Sequence, residues 1–239
     1  MTTFARSGAR RLWLVALLTL LGLLVVPVGA VAKAPGQRHC HGGVCHRVMT
    51  LDETTAAIGK LRRIAASHYD DCRRDRYNPC GLTSSGEVFR PNAPDNTASS
   101  IHPDGTILLV RNPSTRHAAV VRVNNFGPFK GNRQLDVSRA TAHKLGFAGR
   151  GVAPLEVLVV HAPSPEEARY QRKRRYEPVP GFIGPADSIE TAYMHYADLT
   201  LRQRTARLDK TACQLARNQR TPRLGMIAAA PARPRQARS

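Results

Sequence analysis

Arg122-Val123-Asn124-Asn125-Phe126-Gly127-Pro128-Phe129, followed by Arg133-Gln134-Leu135-Asp136-Val137-Ser138, ends a strand in a tight turn and leads into a helix start. Branched residues lead into it. Gly127-Pro128 permits a tight turn directly after a strand, which sets residues 124 to 126 at a rim, where loops and ligand grooves lie. A short helix follows over residues 139 to 146. Ser138 can accept the free amide hydrogens of its first turn, and Gly146 can take the left-handed geometry that ends it. Upstream, residues 106–110 and 117–123 are rich in branched side chains and flank the turn signal Asn112-Pro113-Ser114, which predicts a hairpin. Residues 155–160 predict a final, largely buried strand. Five or six short strands with one small helix predict a mainly β fold, a closed barrel of about 100 residues that leaves no strand edge bare.

The same stretch resembles the V-N-D-R-G-P-F … R-x-I-D-L-S signature of the rare lipoprotein A (RlpA) family, double-psi β-barrels that act on peptidoglycan. Further blocks agree in order. Ala66-Ser67-His68-Tyr69 resembles the family's A-S-W-Y, and Thr83-Ser84-Ser85-Gly86-Glu87-Val88-Phe89 its T-A-S-G-E-x-F. Asp104-Gly105-Thr106 and Val110-Arg111-Asn112 resemble F-G-T and V-x-N. The resemblance covers residues 64 to 161 and implies a six-stranded double-psi β-barrel with one short helix. It also implies lytic transglycosylation, in which a carboxylic acid protonates the glycosidic oxygen and the sugar's own C6 hydroxyl closes a 1,6-anhydro ring. No cofactor and no metal are expected.

Two positions depart from the family pattern. Its Asp is Asn125, which can hydrogen-bond but cannot deliver a proton. Its His is Ser100, with His102 two residues on. Glu87 is therefore the expected acid and base, with Asn125, Ser100 and His102 at the remaining catalytic positions. Tyr69, Arg122, Asn124 and Arg133 are expected on the substrate side of the groove. Asp136 is the remaining candidate acid, but it matches the family's structural Asp before the helix, and capping that helix is its preferred role, while Gly127 and Pro128 shape the turn. The alternative is a non-catalytic glycan-binding wall protein, comparable to the expansins that share this fold.

The chain has 239 residues, with 36 Lys plus Arg against 17 Asp plus Glu, a formal charge of +19 that attracts polyanions of any kind. Its composition excludes collagen, coiled coil and a multi-span membrane protein. Compartment narrows the partners. Arg6, Arg10 and Arg11 precede an apolar run over residues 12–28 and the small residues Ala30-Val31-Ala32, which predicts an export signal over 1–32, cut before Lys33. That implies periplasm or cell envelope, no stable transmembrane segment after cleavage and no nucleic-acid partner. Peptidoglycan glycan strands and anionic envelope polymers become the expected partners.

Cysteine use fits an oxidising compartment. Cys72 and Cys80 flank a short polar loop and are expected to pair. The stretch His39-Cys40-His41-Gly42-Gly43-Val44-Cys45-His46 offers ligands for zinc or copper, but one short loop rarely supplies all four, so a Cys40–Cys45 disulfide is the preferred reading and Cys213 is left over. By the same reading residues 33–61 are a linker, 62–161 the barrel, and 162–239 a basic Pro/Arg-rich tail. A helix over 186–218 is expected there, with Ile189, Tyr193, Tyr196, Leu199 and Leu208 as its apolar stripe.

Overall fold

The structure, a computed structural model, describes residues 32–73 and 80–220, with side chains to residue 218. The expected export signal, apart from Ala32, and the last residues of the chain fall outside them. The strands are β1 (Arg38–His41), β2 (Val44–Arg47), β3 (Leu61–Tyr69), β4 (Asn96–Ser99), β5 (Ile107–Asn112), β6 (His117–Asn125), β7 (Leu135–Ser138), β8 (Val152–His161) and β9 (Gly181–Pro185). Between and after them lie α1 (Leu51–Ala56), α2 (Arg139–Lys144), α3 (Pro165–Ala168) and α4 (Ile189–Arg220).

Six strands run in the order β4-β7-β3-β8-β5-β6, and β6 pairs back onto β4 to close the barrel. The β3–β7 and β4–β6 pairings are parallel and the others antiparallel. Alternation of side chains along each strand fills the interior. Ile64, Leu108, Val121, Val123, Leu135, Val137 and Leu155 meet there with Phe147 and Leu145 from the α2 end. Ser138 caps α2 by accepting the Thr141 amide at 3.1 Å, and Gly146 takes φ +74°, as expected from the sequence.

All of β5 and most of β6 are buried on both faces, which explains their unbroken apolar runs. Their outward residues Ile107, Leu109, Ala118 and Val120 form a second cluster with Ala186, Ile189 and Ala192. Burying such side chains stabilises by roughly 1.5–3 kcal/mol each relative to exposure, so the segment after His161 has a reason to order. It is not the loose tail the composition suggested. Strand β9 adds to β6, and the buried Arg111–Glu156 pair at 2.7 Å extends through Arg111 to the Ala186 and Asp187 carbonyls, fixing the start of α4. Beyond that start the expected stripe is only partly used. Ile189, Tyr196 and Leu199 face inward, while Tyr193 and Leu208 are exposed.

The N-terminal segment is likewise no open linker. Val48 is fully buried, the Met49 amide donates to the Ile101 carbonyl at 2.8 Å, and Thr50 with Glu53 forms a capping box on α1. Both expected disulfides, Cys40–Cys45 and Cys72–Cys80, are formed, and Cys213 is free and exposed. Among the described residues no helix is long and apolar enough to cross a membrane.

Candidate functional site

A groove of about 480 Å³ opens over β3, β7 and β4. Its floor comprises Ser67, Asp136 and Ala98, which are direct neighbours in the strand pairing. One wall is the turn from Asn125 to Phe129, and another comprises His68 and Tyr69. The period of two along β7 sends Leu135 and Val137 into the core, so Asp136 between them faces the groove. This corrects the capping role expected for Asp136, because Ser138 already caps α2. Among the described residues, Asp136 is the one carboxylate that lines this groove.

Of the residues singled out in the sequence, Asn125, Tyr69, Arg133, Gly127 and Pro128 line the groove with Asp136. Gly127 takes φ +117°, which a side chain rarely adopts, and this bends the chain into the wall. The Asn125 side-chain oxygen accepts the Ser84 amide at 3.2 Å. Tyr69 presents ring rather than hydroxyl, since its OH donates to Asn96 at 2.7 Å. Burial, then the Asp136 charge, pushes its phenol well above the usual range. Arg133 donates to the Lys130 carbonyl at 3.2 Å.

The others lie elsewhere. Glu87 is buried: one carboxylate oxygen accepts the Asn124 amide at 2.8 Å and the other the Tyr176 backbone N–H at 3.2 Å. It borders a separate cavity of about 560 Å³ beside residues 173–176. Asn124 therefore holds Glu87 and does not line the groove. Arg122 is a clamp on the segment after the barrel, donating to the Glu177 carbonyl at 3.2 Å, lying 3.5 Å from Glu167 and stacking on Tyr176. Ser100 is fully buried, and among the described residues its hydroxyl has no hydrogen-bond partner. His102 is buried with its Nδ1 3.0 Å from the Ser99 hydroxyl, and burial pulls its pKa down to about 3. The expected quartet Glu87, Asn125, Ser100 and His102 is thus not gathered at one site, because three of its members are enclosed by the barrel and by the segment after it.

Two elements of the site lie outside the sequence reading. Residues 166–177 cross the loop that carries Glu87 so closely that a Cβ on Gly86 would overlap the Gln171 carbonyl. Lys33 is fully buried, its ammonium 2.7 Å from Asp104 and donating to the carbonyls of Ser99 at 3.2 Å and Asn125 at 3.0 Å. Asp104 also accepts from the Ser84 hydroxyl at 2.7 Å. Burial lowers the pKa of Lys33 and raises that of Asp104. Together these groups brace the Asn125 wall from behind. An isolated lysine such as Lys33 carries no sequence signal of burial, whereas the alternation Leu135-Asp136-Val137 does carry the placement of Asp136.

A six-stranded barrel closed through two parallel pairings, with its groove on the parallel β3–β7 pair, defines a double-psi β-barrel. Residues 63–157 match the family whose model is described as lytic transglycolase. The chain is 34% identical over 107 residues to the probable endolytic peptidoglycan transglycosylase RlpA of Treponema pallidum, covering 45% of this chain and 32% of that one. It is 41% identical over 75 residues to the endolytic peptidoglycan transglycosylase RlpA of Neisseria meningitidis, covering 31% of each. Over residues 63–157 the chain is thus similar to RlpA-like double-psi β-barrels. The chain spans about a third of the length of these curated relatives. Among solved structures, the Streptomyces papain inhibitor aligns with a TM-score of 0.35 at 20% identity, over 44% of this chain and 97% of that one.

Proposed function

We propose that this is an exported protein of the cell envelope that binds peptidoglycan glycan strands in the Asp136 groove and cleaves them by lytic transglycosylation. The observation that carries the reading is Asp136, the groove's carboxylate, on the floor between Ser67 and Ala98 and within a wall built by the family's turn motif. One acid suffices for this chemistry. Asp136 in its protonated form gives its proton to the glycosidic oxygen as the C1–O bond breaks. Its carboxylate then takes the proton of the C6 hydroxyl as that oxygen bonds to C1, so no water is consumed. Asn125, whose side-chain oxygen accepts the Ser84 amide, is an amide and has no proton to give the leaving group.

Incubation of the protein with denuded glycan strands and mass spectrometry of the products tests the reading. New 1,6-anhydro ends support it, and intact strands that still bind identify a glycan-binding module instead. That second reading is favoured by the enclosure of Glu87 and His102 and by the amide at position 125. We extend the proposal to anionic envelope polymers for the exposed cations of α4, among them Arg202, Arg204 and Arg207. Such attraction between exposed charges is screened within about 8 Å at physiological salt. Sedimentation with purified wall should therefore fall steeply as salt rises.

A further inference from the structure

We propose that the disulfide-closed hairpin β1–β2 is a substrate-positioning wall of the groove, and that the His41 ring, seated beside Phe129, packs against the apolar face of a bound sugar. The proposal rests on the glycan reading of the Asp136 groove and adds an element outside the family match, which begins at residue 63. The hairpin is built to hold one shape. Cys40 and Cys45 face each other in register and are bonded, and the turn Gly42-Gly43 takes φ +56° and +80°, the geometry that suits a two-residue hairpin loop.

It is also fastened to the barrel at both ends. On the near side Lys33 reaches Asp104 and the Asn125 carbonyl; on the far side Val48 is buried and the Met49 amide reaches Ile101. Along its length the rings of His39 and Phe126 lie 4.7 Å apart, those of His41 and Phe129 5.6 Å and those of His46 and Phe129 5.9 Å. Of the hairpin, His41 and Gly42 line the groove, and among the described residues the His41 side chain has no hydrogen bond or ion pair that would commit it elsewhere. The sulfurs that made this stretch a metal candidate are spent in the disulfide. What remains is an aromatic edge of His41 and Phe129 that lines the same groove as Tyr69 and His68. A pyranose ring presents one face of C–H groups, and a fixed aromatic surface recognises that face at little cost in side-chain entropy.

The test compares binding and turnover of soluble denuded glycan strands by the full chain, by His41→Ala, by His41→Tyr and by the double variant C40S/C45S. The expected result is a KM or dissociation constant raised about fivefold to tenfold in His41→Ala and in C40S/C45S. We expect kcat to stay within about twofold, since the hairpin touches no reacting atom, and His41→Tyr to restore the parent value. Should C40S/C45S fail to fold, His41→Ala decides alone. Parent-like binding by His41→Ala, or a fall in kcat with KM unchanged, overturns the proposal. If the parent chain neither binds nor cleaves the strands, the glycan reading falls and takes this wall with it, whereas a parent that binds beside an indifferent hairpin refutes the wall alone.

Discussion

Replacing His102 should flatten the acid limb of the stability profile. The ring is 1% exposed, and its pKa falls from 6.5 to about 3, chiefly through burial and secondarily through the charges of Arg62 and Lys33. The folded protein therefore keeps the ring neutral at pH values where the unfolded chain protonates it. The resulting stability is complete above pH 6.5 and is lost as pH falls toward 3. Each pH unit below 6.5 costs about 1.4 kcal/mol, so about 2 kcal/mol is gone by pH 5. His39 and His46 are also lowered by burial and add losses of the same sign, so the comparison must be made within one background. Urea unfolding at pH 7.5 and pH 5.0 should show the parent losing about 2 kcal/mol more than His102→Gln, whose amide can still bond Ser99. Equal losses in the two proteins would refute the enclosed, neutral His102.

Gly86→Ala forces a side chain onto a left-handed backbone against the Gln171 carbonyl. It should cost about 1–2 kcal/mol in strain and about 1 kcal/mol for each of the Gln171–Ser85 and Arg174–Gly86 backbone bonds. Trypsin should then cut within 172–175 at least about tenfold faster; an unchanged rate contradicts the packed segment. Lys33→Met leaves Asp104 buried with the Ser84 hydroxyl alone and should destabilise by about 3–5 kcal/mol, most of it recovered in K33M/D104N. Chemical denaturation of the cycle measures this, and additive losses would contradict it. Asn125→Asp puts a second carboxylate on the groove and should raise anhydro product by about tenfold or more; a parent-like rate would show that proton delivery there is not limiting.

The barrel was legible because its strands announce themselves: the runs in β5 and β6, the turn at Asn112-Pro113 and the Ser138 cap all lie where local patterning sets them. The site was legible only in part. Motif matching found Asn125, Gly127, Pro128 and Tyr69, whose places follow from strand and turn. It placed Glu87, Arg122 and Asn124 at the groove, whereas Glu87 and Arg122 are held by residues 166–177, an Arg-rich stretch that reads as unable to order, and Asn124 is held by Glu87. Farther along, Val179, Ile183, Ala186, Ile189 and Ala192 order against the outer faces of β5 and β6, a demand invisible in the tail's own composition. Asp136 was readable from its neighbours: Leu135 and Val137 claim the core, and alternation leaves it the groove. The burial of Lys33 depends on Asp104, 71 positions away, and no local pattern signals it.

Proton donation by Asp136 is tested by the rate of 1,6-anhydro product release from denuded glycan strands by Asp136→Asn beside Glu87→Gln. Asp136→Asn should fold, bind strands and release product about 10² to 10⁴-fold more slowly than the parent. Glu87→Gln should stay within severalfold, since its carboxylate accepts hydrogen bonds from Asn124 and Tyr176 and lines no part of the groove. Full activity in Asp136→Asn with loss in Glu87→Gln would assign the proton to Glu87 instead.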